Sequence, residues 1–162
     1  NGKISIVLDG GNSLIGLEST VIDLTEKKAK LIRHGGINKR ELNSIVPVYD
    51  NEEKLKVFIS PGLSNTHYKP DTSLRINAFR PKKNEAWLAF GAIPKSFKGI
   101  ALTLSEKKCL KESAKNLYKM LRYLDKKKCS GIAVQKIPKL GLGIAINDRL
   151  KRAAFNDKTN VR

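Results

Sequence analysis

Apolar positions in this chain fall in short runs separated by turn residues, and only one long stretch repeats with a helical period. Lys3–Leu8 reads as a strand that turns at Asp9-Gly10-Gly11-Asn12. Gly16–Leu24 reads as a second strand, because the β-branched Thr20, Val21 and Ile22 favour extended backbone. Lys30–Arg33 is a third, ended by His34-Gly35-Gly36. A short helix should follow. Asn38 can cap it, and Glu41 stands three residues on, the capping-box spacing with Asn in place of Ser or Thr. Leu42, Ile45 and Val46 would give it an apolar face, and Pro47 would stop it.

Residues 49–54 are polar and loop-like, and Leu55–Ile59 forms a brief extended run. Ser60–Thr72 is rich in Pro, Gly, Ser and Asn and reads as a loop or linker, although it carries His67 and Tyr68 side by side. A new unit begins at Leu74. Ala86–Phe90 and Ile100–Leu104 predict short strands, and Ser105 caps the clearest helix. On that helix Leu110, Ala114, Leu117, Leu121 and Leu124 share one stripe, while Lys108, Lys111, Lys115, Lys119 and Arg122 lie away from it. Lys126, Lys127 and Lys128 suit the negative end of its dipole. Gly131–Ile137 predicts a strand, residues 138–143 a turn, and Ile144–Ala154 a last helix. Strand, helix, strand, helix at this spacing predicts parallel strands joined by right-handed crossovers. The expected fold is α/β: a β-rich piece at 1–48, a linker near 49–78, a small α/β lobe at 79–154 and a loose tail at 155–162.

Charge changes this picture more than composition does. Lys and Arg number 32 against 15 Asp and Glu, a net +17 that attracts nucleic acid, nucleotides or anionic membranes without specificity. A solvated lysine-rich face is the plainer alternative. Residues 95–128 concentrate the excess, with eleven basic side chains against three acids. The few aromatics do not interleave with lysines along the sequence as stacking platforms would. At 40% apolar the chain can build a modest core. It has no long apolar run and no leader-like opening, so no membrane partner and no signal peptide are expected. Cys109 and Cys129 have no nearby Cys or His, which argues against a zinc site or a disulfide framework. Reduced thiols and a cytoplasmic location are the expectation.

The chain contains no Walker loop, no dinucleotide fingerprint and no nucleophile elbow. His67 lacks an Asp–Ser partner at diagnostic spacing. The stretch Gly16-Leu-Glu-Ser-Thr20 is more suggestive. Adjacent strand residues face opposite ways, so only one of Ser19 and Thr20 can look into a given cleft. Ser19 could donate to a carboxylate or phosphate, or satisfy a neighbouring backbone group. Arg33, before two glycines, could fork onto phosphate oxygens or make an ordinary surface ion pair. Glu18 could serve as a base or pair with a basic neighbour.

Three motifs in order carry a family resemblance. Leu8-Asp-Gly-Gly11, Gly16-Leu-Glu-Ser-Thr-Val-Ile-Asp23 and Leu31-Ile-Arg-His-Gly-Gly-Ile37 together resemble the end of a YrdC-like catalytic domain. Ser60-Pro-Gly-Leu-Ser-Asn-Thr-His-Tyr-Lys-Pro70 resembles the interdomain linker of the same family. Gly141-Leu-Gly-Ile-Ala-Ile-Asn-Asp-Arg-Leu150 resembles the close of its smaller C-terminal domain. The chain thus looks like the C-terminal part of a two-domain threonylcarbamoyl-AMP synthase. It departs from the pattern with His34 for Pro, Leu63 for Met and Lys69 for Ala.

The resemblance implies a YrdC-like β-rich end and a small Rossmann-like lobe. It implies an ATP-dependent nucleotidyl transfer that makes threonylcarbamoyl-AMP from L-threonine, bicarbonate and ATP, for the modification of tRNA adenosine 37. Ser19 would contact threonine, Arg33 and Tyr68 would contact ATP or the adenylate, and His67 would make a linker contact. ATP would be a substrate accompanied by Mg²⁺, with no metal ligand assigned in this chain. No catalytic residue is assigned either, because the family's essential Lys and Arg belong to an N-terminal portion. A separate N-terminal polypeptide, tRNA and tRNA-modification proteins are therefore the expected partners. A basic RNA-binding or docking module, or an inactive remnant, is the alternative.

Overall fold

In the computed structural model, residues 2–11, 13–50 and 69–155 are described. The first unit is a three-stranded sheet in the order β1 (Val21–Asp23), β2 (Ala29–Arg33), β3 (Val48–Asp50), with α1 (Lys39–Asn43) between β2 and β3. β1 and β2 are antiparallel, while β2 and β3 are parallel. β2 alternates buried and half-buried positions, so Ala29 and Leu31 face inward against Val48, Ile22, Leu42 and Val46. The α1 capping box is complete: Glu41 N–H donates to Asn38 Oδ1 at 3.1 Å and Asn38 N–H to Glu41 Oε2 at 2.8 Å.

Three expectations change here. Lys3–Leu8 is not a strand, and Ile4, Ile6, Val7 and Leu8 are between 74% and 92% exposed. An extended segment becomes a strand only beside a partner, and β2 is already flanked by β1 and β3. The second strand shrinks to Val21–Asp23, because Gly16 takes φ +74° and the ladder slips between Val21 and Ile22. Residues 48–50, read partly as loop, form the edge strand β3, where Tyr49 and Asp50 can stay in water. Ile45 lies beyond α1 and is exposed, so it does not share the helix's apolar face.

The second unit is a four-stranded, all-parallel sheet in the order β4 (Leu74–Ala78), β7 (Gly131–Gln135), β5 (Glu85–Ala89), β6 (Ala101–Thr103). Helix α2 (Leu110–Asp125) joins β6 to β7, and α3 (Leu142–Ala153) follows β7. The predicted stripe closes the core: Ala114, Leu117, Leu121 and Leu124 are buried against Leu88, Leu104, Ile132, Val134 and Ile146, and Leu110 packs beside them. Each such leucine contributes about 1.5–3 kcal/mol relative to leaving it exposed.

The sequence reading missed β4: Leu74-Arg-Ile-Asn-Ala78 alternates apolar and polar positions, but the run is short, Asn77 takes a left-handed φ of 57° and the ladder slips between Arg75 and Ala78. Ser105 does not occupy the N-cap, which is Cys109. The chain folds back through Lys108 at φ 56°, and Ser105 Oγ still accepts from Cys109 N–H at 3.0 Å. Among the described residues no helix is long and apolar enough to cross a membrane.

Candidate functional site

Arg33 ends β2 opposite Val21, and its residue is only 9% exposed. Its Nε donates to the Ser19 carbonyl and its Nη2 to Ser19 Oγ, both at 3.1 Å. The structure thus brings two of the sequence-picked residues into one contact. Ser19 itself is exposed. Its oxygen accepts from Arg33, which leaves the hydroxyl proton to be donated outward. Thr20 turns the other way, as alternation requires: its Oγ1 donates to Ile37 O at 2.5 Å and accepts from Ile37 N–H at 3.1 Å.

The turn that aims Arg33 depends on its glycines. A Cβ on Gly35 would lie 2.2 Å from the Ser19 carbonyl carbon and from Thr20 N. The His34-Gly35-Gly36 turn can press on the Ser19 backbone only because no side chain intervenes. Gly36 N–H then donates to Glu18 O at 3.2 Å. Arg33 is largely withdrawn from the surface on which an ordinary ion pair was weighed. It is a buried guanidinium tied to the strand it faces.

Glu18 takes the second of its two readings. Its carboxylate accepts from Arg149 Nε at 2.7 Å and from the Tyr118 hydroxyl at 3.0 Å. Arg149, with a side chain only 2% exposed, also donates through Nη2 to the His34 carbonyl at 3.0 Å and pairs with Asp148. Burial opposes the charge on Arg149 and is the largest single influence on it. The bond to Glu18 and the fields of Glu18, Tyr118 and Asp148 together outweigh it and hold the guanidinium pKa above its ordinary value. Gly16 seals the same junction, since a Cβ there would sit 2.5 Å from Lys115 Cα on α2. The Ser19–Arg33 turn is therefore held from behind by α2 and α3.

Tyr118 and Arg149 escaped the sequence reading. One signal was present: Arg149 falls on the same helical stripe as Ala145, Ile146, Leu150 and Ala153, and a cation on an apolar stripe requires a buried partner. His67 and Tyr68 lie outside the described residues. No group of three or more His, Cys, Asp or Glu side chains converges among the described residues, so no step is assigned to a protein-held metal.

A family model described as threonylcarbamoyl-AMP synthase, C-terminal domain, matches residues 37–155. The chain belongs to the threonylcarbamoyl-AMP synthase C-terminal domain family. Relatives named threonylcarbamoyl-AMP synthase extend the likeness beyond that match. The Bacillus subtilis protein is 31% identical over 95% of this chain and 50% of its own length. The Pyrococcus abyssi protein is 29% identical over 94% and 50%. The Schizosaccharomyces pombe protein is 26% identical over 94% and 46%. The chain thus spans about half the length of these relatives. Among solved structures, P. abyssi Sua5 complexed with L-threonine superposes with TM-score 0.78 at 28% identity, over 94% of this chain and 50% of that one. Membership of the threonylcarbamoyl-AMP synthase family agrees with the resemblance carried by the three motifs, and the mixed α/β fold with parallel and antiparallel strands agrees with the expected class.

Proposed function

We propose that this chain supplies the C-terminal part of a threonylcarbamoyl-AMP synthase. Residues 1–48 would be the end of its YrdC-like catalytic domain, and the parallel-stranded unit its Rossmann-like lobe. The reaction joins L-threonine, bicarbonate and ATP into threonylcarbamoyl-AMP and releases pyrophosphate, for use in tRNA modification. The observation that carries the reading is the Ser19–Arg33 contact, in a chain 28% identical to a relative solved with L-threonine. An exposed hydroxyl beside a buried guanidinium offers a donor for the amino-acid carboxylate and a cation for the adenylate phosphate. Tyr68 and His67 would close over the same cleft and exclude water from a labile carbamate. Mg²⁺ would arrive with ATP and neutralise phosphate charge.

The complete site needs the half of the relatives' length that these residues do not include. The exposed Ile4, Ile6, Val7 and Leu8 support this, because such a run calls for cover from further protein. The test joins this chain with a polypeptide carrying the complementary half, verifies the complex by size-exclusion chromatography, and follows pyrophosphate release. Release that requires both L-threonine and bicarbonate, and that is lost in Arg33→Ala, is expected. A verified complex that releases none, or releases it without threonine, overturns the reading.

A further inference from the structure

A shallow groove of about 400 Å³ runs between the C-terminal half of α2 and β6, the edge strand of the parallel sheet. Its floor is apolar, formed by Leu102, Met120 and the ring of Tyr123, and its rim is cationic, formed by Lys119, Arg122 and Lys126. Where β6 begins and α2 ends, a second hollow of about 700 Å³ adds Lys82, Lys83 and Lys128. None of these six cations has an ion-pair partner among the described residues. Two carboxylates stand beside these cations: Glu85 lines the second hollow, where its charge also interacts with Lys82, and Asp125 precedes Lys126. Glu85 is held by Arg75, and Asp125 accepts from the Asp71 and Thr72 N–H groups.

We propose that this groove docks an acidic segment of a partner protein, a stretch with an apolar anchor flanked by carboxylates. Clustered like charges repel one another, and Glu85, shared with Arg75, relieves this cluster only in part at Lys82, so carboxylates delivered from outside gain more here than at an isolated lysine. An apolar floor gives nothing to a merely solvated face, but it buries an aliphatic anchor. The floor also decides against single-stranded nucleic acid, whose bases need open aromatic faces. The ring on this floor, Tyr123, is half-exposed and already carries the Lys127 ammonium 4.5 Å from its centroid. A second copy of this chain, at +17, would meet the groove with the wrong sign. The groove shares no residue with the Ser19–Arg33 turn, so the two readings stand or fall separately.

The test is fluorescence anisotropy with a short labelled peptide of alternating Glu and Leu, a matched peptide of Glu and Ser, and a single-stranded RNA oligonucleotide. Saturable binding of the Glu–Leu peptide is expected, weakened about tenfold or more by Leu-to-Ser replacement and again by Lys119→Glu with Arg122→Glu. Both positions are exposed, and circular dichroism checks the fold. Lys126→Glu, just past α2, serves as a second variant should the double one unfold. Equal binding of the two peptides overturns the proposal, as does binding indifferent to the charge reversals. RNA that binds more tightly than the Glu–Leu peptide, and loses that affinity in the same variants, would overturn it in favour of a nucleic-acid track.

Discussion

Arg149 and Glu18 meet at 2.7 Å although they stand 131 positions apart, and through them the last helix holds the strand segment that carries Ser19. The guanidinium is almost wholly buried and the carboxylate largely so. Removing the cation takes the Arg149 charge from the Glu18 carboxylate, which keeps the Tyr118 hydroxyl, and takes a donor from the His34 carbonyl. Arg149→Met should therefore destabilise the chain by about 3–5 kcal/mol, as expected when one partner of a buried pair is lost. Glu18→Gln keeps an acceptor for Tyr118 and Arg149 and should cost less, about 1–3 kcal/mol. Urea unfolding of the two single variants and the double variant measures the coupling, and additive losses would show that the pair does not act as a unit.

Gly35→Ala should be among the costliest methyl additions in the chain. The added carbon overlaps the Ser19 backbone, and backbone cannot step aside as a flexible side chain can. A loss of about 1–3 kcal/mol is expected from such overpacking. Gly10→Ala meets nothing within 4 Å and serves as the neutral control in the same thermal melts.

Acid should weaken the second unit through Glu85. The Arg75 hydrogen bond is the main cause of its pKa falling from 4.5 to about 2, helped by the Lys82 N–H and opposed by burial. A depressed carboxylate stabilises the fold fully above its unfolded pKa and loses that contribution as pH falls through the folded one. The effect is therefore complete above about pH 4.5 and gone near pH 2. Asp125 is shifted in the same direction: burial opposes the shift, and the bonds from Thr72 and from the Asp71 N–H outweigh it. Urea midpoints taken from neutral pH downward should drop less steeply in Glu85→Gln than in the parent. Parallel curves would remove Glu85 from the account.

Arg33→Ala in the assembled enzyme should weaken Mg–ATP binding about tenfold or more, the scale of a lost charge-assisted pair, and leave RNA affinity nearly unchanged. Calorimetry reads the first and anisotropy the second. Equal loss of both would sink the adenylate role of this residue.

Much of the second unit could be read from the sequence because its signals are local. The α2 stripe is a periodicity, and the strand runs at Ala86–Phe90 and Ile100–Leu104 need only apolar continuity. Asn38 with Glu41 is likewise a local capping signal, and it formed as expected. Lys3–Leu8 failed because strand formation depends on a partner that composition cannot reveal. For the candidate site, the residue types Ser19 and Arg33 were legible. Their mutual contact was not, since it depends on the Gly35 turn crossing the strand. Glu18 was left with two uses until Arg149 and Tyr118 arrived from distant helices.

The long sequence separation of the Glu18–Arg149 tie bears on the order of folding. Closing so large a loop costs chain entropy that grows with the logarithm of its length, and nothing is recovered until the contact forms. The parallel sheet and α2 draw on nearer partners and can assemble first. In a chain made from its N-terminus, the strand segment bearing Ser19 leaves the ribosome before α3 and must wait for that helix before it is anchored. Refolding should then show an early phase that buries the α2 stripe and a later phase slowed selectively by Arg149→Met.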